Sequence, residues 1–157
     1  MRYQIIREQQ LNCDIHTAWE FFSSPENLSR ITPPDMKFKI VGELPGKHIY
    51  PDMEITYTLS PLLHVPLKWI TRITQVDFHK SFTDFQVKGP YSYWNHHHEF
   101  FTNEQGILMR DTVDYELPFG LIGQWVHAWV VKRKLEDLFN YRRMVIKKIF
   151  PHNKQAA

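Results

Sequence analysis

From Gly120 to Phe150 the chain keeps an apolar stripe that decides what the rest of the molecule must supply. At about 100° per residue, Val131, Leu135, Leu138, Phe139, Val145, Ile146 and Ile149 share one sector of a helical wheel. Lys132, Arg133, Glu136, Asp137, Asn140, Arg143, Lys147 and Lys148 fill the opposite half. The pattern predicts a long amphipathic helix over 120–150 with one buried face. Arg142 breaks it by falling inside the apolar sector. A helix of this length needs a broad partner surface, and the preceding segments read as one curved antiparallel sheet. A helix laid across such a sheet leaves a hollow.

Residues 3–11 read as a first strand. Asp14 is placed to cap a helix in which Ile15, Ala18, Trp19 and Phe22 follow helical spacing. Ser24-Pro25-Glu26 opens a second short helix, with Ser24 as cap, which Pro33-Pro34 forces to end. Strands are expected over 37–41, 47–59, 67–78 and 81–88, with His79-Lys80 a tight connection. A hairpin of 91–102 and 107–117 follows around Asn103-Glu104-Gln105-Gly106, and Pro118-Phe119-Gly120 hands over to the helix. The fold class is therefore α+β, a sheet of six or seven strands with helices gathered toward the ends of the chain. Residues 1–150 form a single domain and 151–157 a frayed tail.

The hairpin permits a sharper inference. Asp111, Val113, Tyr115 and Leu117 alternate with Arg110, Thr112, Asp114 and Glu116, so the first set faces the helix. Trp94, His96, His98 and Phe100 form the matching set on the partner strand, with His98 opposite Asp111 and Trp94 opposite Tyr115. A slip of one residue would turn one set outward. Polar groups on that inner face need partners, because an unpaired buried donor or acceptor costs about 1–3 kcal/mol. Asp111 or Asp84 is the expected mate of Arg142. The constellation is either a self-satisfied network or the polar end of an apolar pocket that orients a ligand.

Composition excludes more than it assigns. A net charge of +2 is too small for a nucleic-acid binder, and the basic residues of the last helix read as a solvated face. Weak contact with acidic membrane surfaces is an open alternative for that face. The single cysteine, Cys13, allows no intrachain disulfide and no thiolate metal site. His97 points away from His96 and His98 in a strand, so a His96, His98 and Asp111 metal triad is a weak signal; no metal and no cofactor is expected. No nucleophile turn or phosphate loop is present. No stretch has signal-peptide or transmembrane character, Leu121 to Val131 being too short and interrupted by Gln124 and His127, so the cytoplasm is the expected compartment. Aromatics at 15% are the anomaly, and rigid rings either fill a core or wall a cavity. Trp125, Val126, Trp129 and Val130 fall partly outside the buried stripe, packed under nearby loops or forming an entrance or oligomer contact.

Several short runs carry a resemblance. They are Ala18-Trp19-Glu20-Phe21-Phe22, Pro25-Glu26-Asn27-Leu28, Ile31-Thr32-Pro33-Pro34, Trp69, Phe82-Thr83-Asp84-Phe85-Gln86 and Gly89-Pro90-Tyr91. Trp94-Asn95-His96-His97-His98, Asp111-Thr112-Val113-Asp114-Tyr115, Pro118-Phe119-Gly120 and Phe139-Asn140-Tyr141-Arg142 complete the set. Over residues 1–150 the order of elements resembles the START-like, helix-grip superfamily (SRPBCC, polyketide cyclase-like), and the motifs resemble a bacterial ligand-binding subgroup of unknown role. The resemblance implies a sheet wrapped around the C-terminal helix, with a cavity for lipid, sterol or polyketide-like molecules. It transfers no catalytic residue.

The expected function is binding of a hydrophobic small molecule, without catalysis, at Trp69, Trp94, His96, His98, Asp111, Tyr115 and Arg142. The alternatives are a cyclase, dehydratase or hydrolase with His98 as acid or base, and a protein-interaction module using the Trp125–Trp129 surface. The sequence leaves the oligomeric state open.

Overall fold

The computed structural model describes residues 1–60, 65–118 and 130–151. Seven strands form one curved antiparallel sheet: β1 (Arg2–Leu11), β2 (Lys39–Ile40), β3 (Glu54–Leu59), β4 (Leu67–Asp77), β5 (Ser81–Lys88), β6 (Tyr93–Asn103) and β7 (Gly106–Glu116). Their order is β1-β7-β6-β5-β4-β3-β2, so the first strand closes against the last. Helix α1 (Ile15–Phe22) follows β1, and α2 (Lys132–Ile149) ends the fold. Among the described residues, no helix is long and apolar enough to cross a membrane.

Local chemistry explains the elements. Asp14 accepts from the Thr17 amide at 2.8 Å and caps α1. The segment after Ser24 is a 3₁₀ helix over Pro25–Ile31, a correction to the expected α-helix, and Ser24 makes no side-chain cap. The Thr32 hydroxyl takes the Leu28 carbonyl at 2.7 Å, and prolines 33 and 34 allow only one further 3₁₀ turn, Pro34–Met36. Lys37 closes that turn in the left-handed region (φ 49°), which shortens the expected strand 37–41 to Lys39–Ile40. The expected strand 47–59 survives only from Glu54. Pro51 has no amide to give and Asp52 sits at φ 66°, so the chain turns there, the Met53 amide donating to the Tyr50 carbonyl at 3.1 Å, and meets β4 through the bonds of Asp52 and Met53 to Ile73. The β6–β7 turn contains two residues, Glu104 and Gln105, and Gly106 takes φ 117°.

The hairpin register is the expected one, with His98 opposite Asp111 and Trp94 opposite Tyr115. On the other side of β6, Phe82 lies opposite His98 and Asp84 opposite His96. Register shifts in β4 between Ile70 and Thr71 and between Ile73 and Gln75 break the ladder, and such bulges bend a strand.

Three apolar clusters form the core among the described residues, a small one of Met53, Ile55 and Ile73 and two larger ones between sheet and α2. One gathers Leu11, Trp19, Phe21, Phe82, Phe100, Met109 and Ile146 around α1 and the end of α2. The other gathers Trp69, Trp94, Val113, Tyr115, Leu135 and Phe139 around the start of α2. The chain passes from one to the other through His96 and His98 on β6, Asp111 on β7 and Arg142 on α2. The core is thus crossed by a polar belt.

The regular helix begins at Lys132, shorter than expected within the described residues. Its buried residues include Leu135, Phe139, Arg142 and Ile146, as the stripe required. The expected helix over Gly120–Trp129, the apolar run from Leu121, the handover at Phe119-Gly120, the Trp125, Val126 and Trp129 surface and the tail beyond Pro151 lie outside the described residues. Val130 is exposed.

Candidate ligand site between the sheet and the C-terminal helix

Strand pairing builds the belt. Asp84 is opposite His96 and one step diagonal from His98, while Asp111 is opposite His98 and diagonal from His96. Two imidazoles therefore lie between two carboxylates, with ring centroids 3.8 Å apart. His98 Nε2 donates to Asp84 Oδ2 at 3.1 Å, and its Nδ1 stands 2.7 Å from Asp111 Oδ1, off the line of a hydrogen bond. His96 Nε2 donates to Asp111 Oδ1 at 3.2 Å, with Nδ1 3.6 Å from Asp84 Oδ2. His96, His98 and Asp111 are only 5, 6 and 6% exposed. Phe82 stacks on His98 at 4.2 Å and fixes the plane of its ring.

The charges divide unequally. Burial works to lower the His98 pKa, and the Asp111 and Asp84 carboxylates overcome it and hold the ring protonated beyond its ordinary range. His96 goes the other way, pushed down by burial and by the charge of His98 against the pull of Asp111 and Asp84. Burial acts to raise the Asp111 carboxyl, and the two imidazoles reverse this and drop it far below the ordinary carboxylate range. The two rings are thus biased in opposite senses, His98 toward its charged form and His96 toward its neutral one.

This division sets a pH dependence of stability. His98, raised in the folded state, stabilises fully below the unfolded histidine value of about 6.5 and loses that contribution as pH rises through its folded pKa. His96, lowered, makes the unfolded chain the better proton acceptor below about 6.5, so stability falls on that side too. Urea unfolding from pH 5 to 9 is expected to show a maximum near pH 6.5, with the alkaline limb missing in His98→Gln. A wild-type profile that climbs or falls throughout would contradict the assignment.

Beside the belt is a cavity of about 160 Å³ between the sheet and α2. It is walled mainly by apolar and aromatic side chains, among them Phe22, Leu28, Ile55, Trp69, Trp94 and Leu138. Asp84, His96, His98 and Arg142 form its polar end, joined by Tyr57 and Thr71, whose hydroxyls are 3.1 Å apart. Asp111 does not line the space; it stands behind the two histidines. Tyr115 also lies outside the lining, 2% exposed, and packs against Trp94 (6.0 Å), Tyr91 (5.8 Å) and Tyr3 (5.6 Å). Of the sequence candidates, Trp69, Trp94, His96, His98 and Arg142 meet the cavity directly.

The expected mate of Arg142 is not there. Both carboxylates of the belt are held by imidazoles, and no ion pair to Arg142 exists among the described residues. Its Nε is buried without a hydrogen-bond partner, and its guanidinium lies 5.3 Å from the Phe139 ring centre. Asp84 pairs with His98 instead, a role that alternation along β5 (Phe82, Asp84, Gln86) suggests but that needs the β5–β6 register to establish.

Asp84, His96 and His98 place three donor atoms within 4.8 Å of one another, a set able to hold a divalent cation with Asp111 orienting both imidazoles from behind. The same groups also satisfy one another through protons alone. A protonated imidazole facing an apolar space has the parts of a general acid. Cys13 does not contribute, since burial and then Asp14 push its thiol up to about 11 and it stands outside this cavity.

No protein-family model and no curated protein matches this sequence. Solved structures do match it. Ginseng major latex-like protein 151 from Panax ginseng superposes with a TM-score of 0.68 at 15% identity, covering 96% of this chain and 98% of that one. Protein Ms6760 from Mycobacterium smegmatis gives 0.63 at 17% identity over 92% and 89% of the two chains. Ara h 8.0201 gives 0.61 at 11% identity over 94% and 99%. At these identities the likenesses establish the fold.

Proposed function

We propose that this chain, whose architecture is that of the helix-grip fold, binds a small hydrophobic molecule between its sheet and α2. The observation that carries the reading is the cavity itself, apolar along its walls and polar at one end. Its volume of about 160 Å³ is close to that of apolar cavities that accept benzene. A medium-length alkyl chain or a single ring suits it better than a four-ring sterol. Trp69 and Trp94 supply wall, His96, His98 and Arg142 face the polar part of the ligand, and Asp111 and Tyr115 hold those groups from behind.

Titration with octan-1-ol is expected to give saturable quenching of Trp69 and Trp94 emission and a rise in Tm. Leu138 lines the cavity and is only half-buried, so Leu138→Trp is expected to fill the space and abolish both effects. A linear, unsaturable response in the wild type would overturn the reading. One observation favours a second reading, acid–base catalysis: His98, its pKa raised by two carboxylates, faces the same cavity. In that case a ligand is consumed by the wild type, whereas His98→Gln still binds it and does not turn it over.

A further inference from the structure

Arg142 is the charged residue among the buried positions of α2, and it is 9% exposed. A lysine or histidine in such a place can lose its proton; a guanidinium cannot, so its charge persists. Burying it without a counter-charge is unfavourable, and the fold provides none within ion-pair distance among the described residues. The Phe139 ring at 5.3 Å offers a face for the cation but no acceptor for the Nε proton.

The surrounding charge has the same sense. Among the described residues lining the cavity, Lys134 and Arg142 stand against a single carboxylate, Asp84, which His98 already holds at 3.1 Å. The hydroxyls of Tyr57 and Thr71 line the same end. Burial and then Asp84 keep the Tyr57 phenol protonated, while Arg142 pulls against them, so the phenol is within electrostatic reach of the guanidinium. Everything else on the wall is apolar or neutral. A fork of donors with no acceptor, at the end of a greasy cavity, is complementary to a planar anion with a hydrocarbon body.

We propose that the ligand is an amphipathic carboxylate, its carboxyl seated on the Arg142 guanidinium and its apolar part in the cavity between sheet and helix. This rests on the cavity-binding reading above and names the class of molecule the cavity takes. Octanoate fits the volume and is the probe.

The experiment compares octanoate, octan-1-ol and methyl octanoate by calorimetry at pH 7.5 on the full chain. A cavity without a counter-charge prefers the alcohol and the ester, because stripping water from a carboxylate is costly. Here octanoate is expected to bind about 10- to 100-fold more tightly than the alcohol, the range of a hydrogen bond to a charged group. In Arg142→Leu the order should reverse, with octanoate losing far more affinity than the alcohol; Arg142→Lys should keep part of the preference. The leucine variant is expected to fold, since it removes a buried charge that has no partner. Should it fail to fold, the wild-type order of the three probes decides by itself. Equal binding of all three, or preference for the neutral pair, overturns the carboxylate and leaves the cavity reading intact. Binding of none of the three overturns the cavity reading itself.

Discussion

Asp111→Ala is expected to cost about 3–5 kcal/mol, the range for removing one member of a buried ion pair. Two interactions vanish together, the contact to His98 Nδ1 at 2.7 Å and the hydrogen bond from His96 at 3.2 Å. The imidazolium of His98 would keep Asp84, so its proton is not wholly abandoned and the loss should fall toward the lower figure. His96 fares worse, because its Nε2 is left buried with no acceptor. For a chain of this size the change corresponds to a fall in Tm on the order of 10 °C. Asp111→Asn, which keeps an acceptor oxygen, should lose distinctly less. If thermal unfolding of the alanine variant shows less than about 1 kcal/mol, the belt is not the paired network described.

Trp19→Ala is expected to be as damaging, by a different route. Trp19 projects from α1 into the sheet, 4% exposed, with Phe78, Phe82 and Phe100 rings packed edge-on at 5.4, 6.0 and 5.9 Å. Replacing a buried tryptophan by alanine costs about 3–5 kcal/mol, through lost burial and the void that remains. The void would open beside Phe82, the ring that stacks on His98, so the damage is expected to reach the belt. Urea unfolding measures the first effect. The second is read from the alkaline limb of the pH profile, which should weaken as His98 loses its fixed plane. A Trp19→Ala protein as stable as the wild type would mean that α1 is not a structural part of the core.

The sheet could be read from the sequence where side chains alternate cleanly. Along 94–100 and 111–117 one face is apolar except at His96, His98 and Asp111 and the other is polar throughout, so only one register buries the right set, and that register is found. The belt was visible for the same reason: polar residues at buried positions stand out against their neighbours. Its wiring was not visible. Asp84 could equally have served Arg142, and the choice of His98 follows from a β5–β6 register that the Gly89-Pro90 break conceals. The irregular stretch before Glu54 misled because Lys47–Met53 alternates well enough for a strand, while Pro51 has no amide to pair and the left-handed Asp52 turns the chain. The lone arginine showed in the helical pattern, but sequence reasoning supplied it with a mate that the fold gives to an imidazole.

Among the described residues, the first strand meets its one neighbour in the sheet across almost the whole chain, Arg2 lying opposite Glu116. During synthesis at about 5–20 residues per second, β1 leaves the ribosome and waits roughly 6–20 s before β7 exists to receive it. The closure links residues 114 apart in sequence, and such distant pairings make folding slow. In that interval a lone edge is exposed to other nascent chains, and its polar run Arg7-Glu8-Gln9-Gln10 makes it a poor seed for stray sheet growth.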